Sequence, residues 1–248
     1  MRDGLLKCSR YAFAPNYYRY CGPDNRKRLE GYLSEKIVDT GLREYLVDFE
    51  GLYPYLKTIA TENNLSDPFD ERVVEAYWVG NNLLHQVRQK EMAETLLYGQ
   101  QLKKRLQTKV WRWITDKIPK GAFFHHSFHV FSIFTRTGHL TIDHTIDSMN
   151  ECRIGWGRII NNSNLKFQSL KIQLKTQQLI YRKGKLVIES NVIREVIPSV
   201  DVGLAKSLKP GDWVSYHWGF ICEKLTLKQV AWLSHYTRHN LRLANETL

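Results

Sequence analysis

The stretch WRWITDKIPKGAFFHHSFHVFSIF (residues 111–134) marks the place where the pattern of apolar residues changes along the chain. On its amino-terminal side, apolar residues recur at the spacing of amphipathic helices. After Gly121, aromatic and β-branched residues crowd together, as they do in strands. We therefore expect an α+β protein, with a helical domain over residues 1–120 and a β-rich region over residues 121–248.

The helical signals are clearest in LSDPFDERVVEAYWVGNNLL (65–84), where Asp67 is placed to cap a helix and Pro68 suits its first turn. A further helix is expected from about Glu91 to Trp113. The segment from Tyr11 to Pro23 contains two prolines and a glycine. This composition predicts an ordered loop packed on the helices.

Short strand-like runs separated by turns dominate the remainder of the chain: RIGWGRII (153–160), LKFQSLKIQL (165–174) and WVSYHWGFI (213–221). Thr226 and Gln229 then stand at the spacing of a helix capping box. Several short strands followed by one closing helix predict a small OB-like barrel over about 151–225, with a terminal helix over about 226–245.

Composition limits the class of protein. The chain has 248 residues, of which 43% are hydrophobic, and it has a net charge of +11. No apolar run approaches the roughly 18 residues that span a bilayer. The amino terminus lacks the pattern of a secretory signal, so we expect a cytoplasmic protein without membrane contact. The positive charge is not accompanied by a nucleic-acid-binding motif, and an acidic protein partner explains it equally well.

The four cysteines are scattered without a CxxC pair, which favours free thiols in a reducing compartment. Cys152 precedes a glycine-containing turn, where its sulfur is expected to be exposed at a barrel rim and available to a metal. His217, in a strand just before Gly219, is a candidate for donating a ring proton to that thiolate or for acting as a second ligand.

Two segments, ECRIGWGRII (151–160) and GDWVSYHWGFI (211–221), together resemble the HypC/HupF family of [NiFe]-hydrogenase maturation chaperones. The resemblance covers about residues 151–240. It implies a small barrel with a terminal helix that holds iron, with or without cyanide and carbonyl ligands. Cys152 matches the essential cysteine of that family and His217 matches its motif histidine. Trp156 and Gly157, in the matched motif, are then expected to contact the bound group.

The whole chain also resembles an uncharacterised family associated with hydrogenase gene clusters, through segments such as YCGP (20–23), VEAYWVGN (74–81) and the histidines at 125, 126 and 129. This resemblance implies a role in hydrogenase biogenesis. The partners it implies are a maturation scaffold protein, the hydrogenase large subunit, or both.

Other groups are open to two interpretations. Cys21 is either a packed loop cysteine or a second thiol ligand or nucleophile. His125, His126 and His129 alternate between two faces if their segment is a strand, and partly converge if it is a helix. His129 is a candidate metal ligand and His126 a candidate catalytic base. Glu75 is either part of an architectural polar network or a proton carrier.

The leading hypothesis is an accessory carrier in [NiFe]-hydrogenase maturation that binds an iron precursor or the large subunit through Cys152. The alternative is an enzyme that acts on, or supplies, a diatomic ligand of iron, with Cys21, His126 and Glu75 as catalytic groups. A third reading is a structural module that has the barrel shape but no metal.

Overall fold

A computed structural model describes residues 2–24, 26–134, 145–161 and 171–247 of the chain. It is an α+β protein, as the change in periodicity predicts. Helices fill the amino-terminal half, and one antiparallel sheet and a long terminal helix dominate the other half. No helix in the described ranges combines the length and the apolar character needed to cross a membrane.

The amino-terminal helices are short apart from the first. They are α1 (Arg2–Tyr17), α2 (Arg26–Glu35), α3 (Thr40–Val47), α4 (Tyr53–Glu62), α5 (Glu71–Trp78), a 3-10 helix (Asn82–Gln86), α6 (Gln89–Glu94), a π-helical turn (Thr95–Gly99), α7 (Leu102–Arg105) and α8 (Thr108–Thr115). The helix expected from Glu91 to Trp113 is thus divided into several pieces.

Two further expectations for this half are wrong. The segment from Tyr11, expected to be a loop, is helical as far as Tyr17. Leu5, Cys8 and Ala12 recur at helical spacing and form one buried face of this helix. Helix α5 is capped by Asp70, whose side chain accepts from the amide of Arg72. Asp67 instead lies in the turn before α5, where it accepts from the amide of Phe69 and forms an ion pair with Arg43 of α3.

The segment FFHHSFHVFSIF is not a strand. It forms α9 (His126–Phe128), which continues into a π-helical turn (His129–Phe134). Phe124, Phe128, Phe131 and Ile133 are all buried, so the helix is enclosed on most of its circumference. A helix without a polar face has no helical periodicity in its sequence, and its aromatic residues then resemble those of a strand.

The carboxy-terminal half contains α10 (Ile146–Cys152), β1 (Gly155–Asn161), β2 (Ile172–Arg182), β3 (Lys185–Val196), α11 (Val202–Ser207), β4 (Trp213–His217), β5 (Phe220–Leu225) and α12 (Leu227–Ala244). The strands form one antiparallel sheet in the order β3-β2-β1-β4-β5. Thr226 and Gln229 form the capping box of α12 that their spacing predicts.

The expected closed barrel is not formed. The two edge strands, β3 and β5, share no ladder, and among the described residues a single parallel bridge between Ile197 and Phe220 joins their ends. At the start of β3, the side chain of Asn245 exchanges two hydrogen bonds with the backbone of Leu186. The end of α12 therefore occupies part of the edge that a neighbouring strand would need.

One large apolar core joins residues from both halves of the chain. Leu5, Tyr55 and Trp78 belong to it together with Leu233 and Tyr236 from α12. A smaller core lies between the sheet and α11. Because α1 packs on β4 and β5, the end of β4 lies against the amino-terminal helices. This packing brings the site described next to the junction of helices and sheet.

Candidate metal centre

His126, Cys152 and His217 lie together. One nitrogen of each imidazole and the Cys152 sulfur are all within 4.8 Å of one another, and the three side chains are buried. Nitrogen and sulfur ligands of a four-coordinate metal lie roughly 3.5 Å apart, given bonds of about 2.0–2.3 Å. A contraction of about 1 Å would therefore place all three groups in one coordination sphere.

Three different elements supply the cluster. His126 begins α9, Cys152 ends α10 and His217 ends β4. Trp218 and Gly219 both have positive φ, as expected for a tight two-residue hairpin turn. The amide of Trp218 donates to the carbonyl of Glu151 at 3.0 Å. This hydrogen bond fastens the hairpin turn to the end of α10 and holds His217 beside Cys152.

A proline determines the orientation of His217. Pro15 lies inside α1 and has no amide hydrogen, so the carbonyl of Tyr11, four residues earlier, lacks its helical donor. His217 Nδ1 fills that role at 2.7 Å from the Tyr11 oxygen. Because a carbonyl only accepts, Nδ1 carries the proton and Nε2 carries the lone pair. Nε2 is buried and makes no hydrogen bond within the described residues.

His126 is held in a similar way. Its Nε2 lies 2.9 Å from the carbonyl oxygen of Cys152 and therefore donates to it, which leaves the lone pair on Nδ1. Nδ1 lies 3.1 Å from the Tyr77 hydroxyl, whose single hydrogen goes either to Nδ1 or to the Gly51 carbonyl at 3.2 Å. In metal sites, a ligating histidine usually donates its other ring hydrogen to a carbonyl or carboxylate. Each of these two imidazoles already donates one ring hydrogen to a backbone carbonyl.

Burial keeps both imidazoles neutral. Loss of hydration lowers the pKa of His217 to about 4, although the hydrogen bond to the Tyr11 carbonyl opposes the shift. Burial lowers the pKa of His126 well below its usual value, and the neighbouring His217 and His129 add to the effect. At neutral pH the two rings therefore offer lone pairs rather than positive charge.

Cys152 differs from the expectation of an exposed thiolate at a barrel rim. The residue is 8% exposed and ends a helix. Burial raises the pKa of its thiol, and the nearby Cys21 adds to the increase, while the Trp218 indole opposes it. Without a bound cation the group is thus a thiol. A metal ion would have to displace its proton.

The cluster lines a cavity of about 710 Å³ between the helices and the sheet. The cavity wall also includes Cys21, Tyr77 and His129. Its charged side chains are Asp48 and Glu50, and none of the described residues that line it is a lysine or an arginine.

Cys21 and His129 face the cavity near Gly51. A Cβ atom on Gly51 would lie 3.8 Å from His129 Nε2 and 3.9 Å from Cys21 Sγ. The His129 ring stacks against that of His126 at 6.2 Å, and its Nδ1 lies 3.3 Å from the Tyr55 hydroxyl. Of the two interpretations of the histidine segment, the helical one applies, and His126 and His129 converge on one side.

The remaining candidates lie elsewhere. Glu75 joins a separate polar network, in which it accepts from Gln229 at 2.7 Å and lies 3.6 Å from Lys7. Trp156 and Gly157 are part of β1 and do not line the cavity. A Cβ on Gly157 would lie 2.9 Å from the Lys175 carbonyl, which accounts for the glycine by close strand pairing.

Several groups that shape the site are not singled out by the sequence as site residues. The Tyr11 carbonyl orients His217, Trp218 lies against the Cys152 thiol, and Tyr77 contacts His126. Pro15 within a helical pattern is the one signal that could have pointed to them, because a proline there frees a carbonyl for another donor.

Comparison with known proteins identifies a family for the chain but no individual relative. Searches of curated proteins and of solved structures found no match to the chain. The chain belongs to the family described as Family of unknown function (DUF6390), which it matches over residues 1–248.

Proposed function

We propose that this protein is a carrier for a transition-metal cation, held by His126, Cys152 and His217. In the setting that the HypC resemblance implies, the cation is iron and the task is maturation of a [NiFe] hydrogenase. The observation that supports this most directly is the convergence of two neutral imidazoles and one thiol, buried within 4.8 Å of one another.

The donor set suits a first-row transition metal. Imidazole nitrogen and thiolate sulfur bind iron, zinc, nickel and copper, whereas calcium and magnesium prefer oxygen ligands. When the cation binds, the Cys152 thiol releases its proton to solvent and the sulfur donates an electron pair to the metal. The imidazoles need not lose a proton, because each already has a lone pair on one nitrogen.

The hydrogenase context rests on the resemblance of residues 151–240 to HypC. One structural observation supports it: Cys152 and His217, the two residues that match the motifs of that family, lie in the same cluster although 65 positions separate them. The antiparallel sheet followed by a helix is compatible with a HypC-like unit whose barrel has opened. The partners we propose are a maturation scaffold protein and the hydrogenase large subunit.

The test is anaerobic purification of the protein from cells that express hydrogenase maturation genes, followed by iron analysis and infrared spectroscopy. The proposal predicts bound iron that is lost in Cys152→Ala. Cyanide and carbonyl stretches in the same sample would identify the cargo as a ligated iron complex. Iron-free protein from such cells, or full hydrogenase maturation with Cys152→Ser, would contradict the carrier role and favour a structural module.

A second candidate function is an enzyme that acts on, or supplies, an iron ligand. The observation in its favour is the size of the cavity, about 710 Å³, which greatly exceeds one metal ion and also exposes Cys21 and His126 to the same space. Burial raises the pKa of Cys21 to about 11, so its thiol is a weak nucleophile unless a base or metal activates it. Turnover lost in Cys21→Ala, with partner binding kept, would favour this candidate.

A further inference from the structure

Trp218 combines a strained backbone with an unsatisfied side chain. It is the first of the two turn residues between β4 and β5, where His217 is paired with Phe220. Its φ of 47° lies in the left-handed region, which bulky aromatic residues rarely enter. The residue is 9% exposed, and its indole Nε1 is buried without a hydrogen-bond acceptor among the residues that the structure describes. Both features destabilise the metal-free folded protein, and such costs concentrate at functional sites.

The indole lies beside the Cys152 sulfur. The backbone amide of Trp218 donates to the carbonyl of Glu151, the residue before Cys152, and both Trp218 and Cys152 line the cavity. The indole ring packs on the Tyr20 ring with centroids 4.5 Å apart, which restricts its orientation. Burial raises the pKa of the Cys152 thiol, and the Trp218 indole acts in the opposite direction, as an N–H group close to a sulfur does. The turn is therefore fixed with its N–H group next to a proposed metal ligand.

The protonation state of the sulfur decides whether this N–H group has a good acceptor. A thiol sulfur accepts hydrogen bonds weakly. A hydrogen bond to an ionised acceptor is about twice as strong as one between neutral groups. In the metal-free protein Cys152 is a thiol, as its burial requires. The indole N–H therefore gains a strong acceptor only when a cation displaces the thiol proton.

We propose that Trp218 is a positioning residue of the metal centre, and that its indole N–H donates to the Cys152 sulfur when this sulfur is a metal-bound thiolate. This inference rests on the proposed metal-carrier function and adds to it a residue that sets the affinity for the cation. When the cation binds, the S–H bond breaks, the proton goes to solvent, and the sulfur donates an electron pair to the metal. The indole hydrogen stays on its nitrogen throughout. Because the hydrogen bond stabilises the loaded state more than the metal-free state, it increases the affinity.

Packing is the other role that an aromatic residue can have in this turn, and three variants separate the two roles. Trp218→Phe keeps an aromatic ring but lacks the N–H group. Replacement of Trp218 by benzothienylalanine, in which sulfur takes the place of the indole nitrogen, keeps the size and shape of the ring and removes only the hydrogen-bond donor. Trp232→Phe is the matched control, because Trp232 is a half-buried residue of α12 that does not line the cavity.

The experiment measures Co²⁺ binding to each full-length, metal-free protein under anaerobic conditions. It records the dissociation constant, by competition with a chelator, and the wavelength of the charge-transfer band of the Cys152 thiolate. A hydrogen bond to a thiolate lowers the energy of the sulfur electrons, so its loss moves the band to longer wavelength. We expect this shift in both Trp218 variants, with an affinity about tenfold lower than that of wild type, as is usual when a metal ligand loses a hydrogen-bond partner. Trp232→Phe should match wild type in both quantities.

An unchanged band and an unchanged affinity in the benzothienylalanine protein would overturn the role of Trp218 and leave the metal-carrier function intact. A lower affinity with the band at the wild-type wavelength would also overturn it, because the ring would then act through packing alone. Failure of the wild-type protein to develop the thiolate band would contradict the proposed function itself, and the role of Trp218 with it.

Discussion

The two nitrogens of His217 have different surroundings, and this difference fixes what the residue can do. Nδ1 is bound to the Tyr11 carbonyl, so the lone pair is directed to the buried Nε2. The carbonyl is free to accept because Pro15 cannot donate to it. A residue in the first helix thus determines the tautomer of a histidine about 200 positions later.

Replacing Pro15 should therefore weaken metal binding without removing a ligand. In Pro15→Ala, a new amide hydrogen would compete with His217 for the Tyr11 carbonyl. Loss of an orienting hydrogen bond to a ligand typically lowers metal affinity by about 10- to 100-fold, and we expect a decrease in this range for Co²⁺ in a competition titration. Unchanged affinity, with the helix content of wild type, would show that this hydrogen bond does not orient the ligand.

The pKa of His217 also predicts how stability depends on pH. Its folded-state pKa of about 4 lies below the ordinary value of about 6.5, so the unfolded chain binds the proton more tightly. The contribution of the neutral His217 ring to the free energy of unfolding is therefore complete above about pH 6.5. It is lost as the pH falls toward 4. Between pH 7 and pH 5 this one group should lower the free energy of unfolding by about 2 kcal/mol.

Urea denaturation of the apo-protein at the two pH values measures this effect. His217→Gln is the comparison variant, since glutamine does not titrate. Between pH 7 and pH 5, the decrease in the free energy of unfolding should be smaller in that variant by about 2 kcal/mol. An identical pH dependence in both proteins would mean that His217 is not buried in neutral form.

At the scale of the elements, the sequence predicts some parts of the fold well and others poorly. The strand β1 and the capping box of α12 follow from the local sequence, and the structure has both. The segment of α9 is predicted to be a strand because most of its residues are buried, so its sequence lacks the polar face of an amphipathic helix. Local sequence does not distinguish a buried helix from a buried strand.

The candidate site shows the same division. Cys152 and His217 stand out by their place in short motifs, and the structure brings them together. The participation of His126 in the cluster depends on the helical form of α9, which sequence alone left open. Asp48 and Glu50 lie between two helices, and only tertiary packing places them in the same cavity wall as Cys21.

The pairing of β1 with β4 leads to a prediction about Gly155. A Cβ there would lie 2.1 Å from the Tyr216 ring, so Gly155→Ala must displace a buried aromatic side chain. Overpacking of this kind usually costs about 1–3 kcal/mol. Gly31 in α2 is the control, because a Cβ there meets nothing within 4 Å, and Gly31→Ala should stabilise the protein by roughly 0.5–1 kcal/mol.

Urea unfolding of the two alanine variants tests this contrast directly. Equal stabilities for Gly155→Ala and Gly31→Ala would contradict the strand register in which Gly155 is paired with Tyr216.

At the scale of the whole molecule, an ionic cluster around the buried side chains of Lys7 and Glu223 joins the helices to the sheet. Lys7 of α1 is 6% exposed and lies 3.3 Å from Glu223 of β5, with Glu71 and Glu75 of α5 also within 4 Å. The Tyr11 hydroxyl donates to Glu223 at 2.6 Å. Because Tyr11 also holds His217 through its carbonyl, the ionic cluster and the candidate metal centre share one residue of α1.

Lys7→Met should destabilise the protein by about 3–5 kcal/mol, since Glu223 would remain buried without its cation. Lys90, whose ion pair with Glu94 is exposed, is the matched control, and Lys90→Met should change stability by less than about 0.5 kcal/mol. Thermal and urea unfolding measure both. A small effect of Lys7→Met would mean that the cluster does not hold the two halves together.

Titration of the apo-protein with Co²⁺ tests whether His126, Cys152 and His217 bind one cation. We expect one equivalent to bind with a thiolate charge-transfer band, and we expect that band to be absent in Cys152→Ala. The band should be retained in His235→Ala, which removes an exposed histidine outside the cavity. Binding without a thiolate band, or a band that persists in Cys152→Ala, would show that Cys152 is not a ligand.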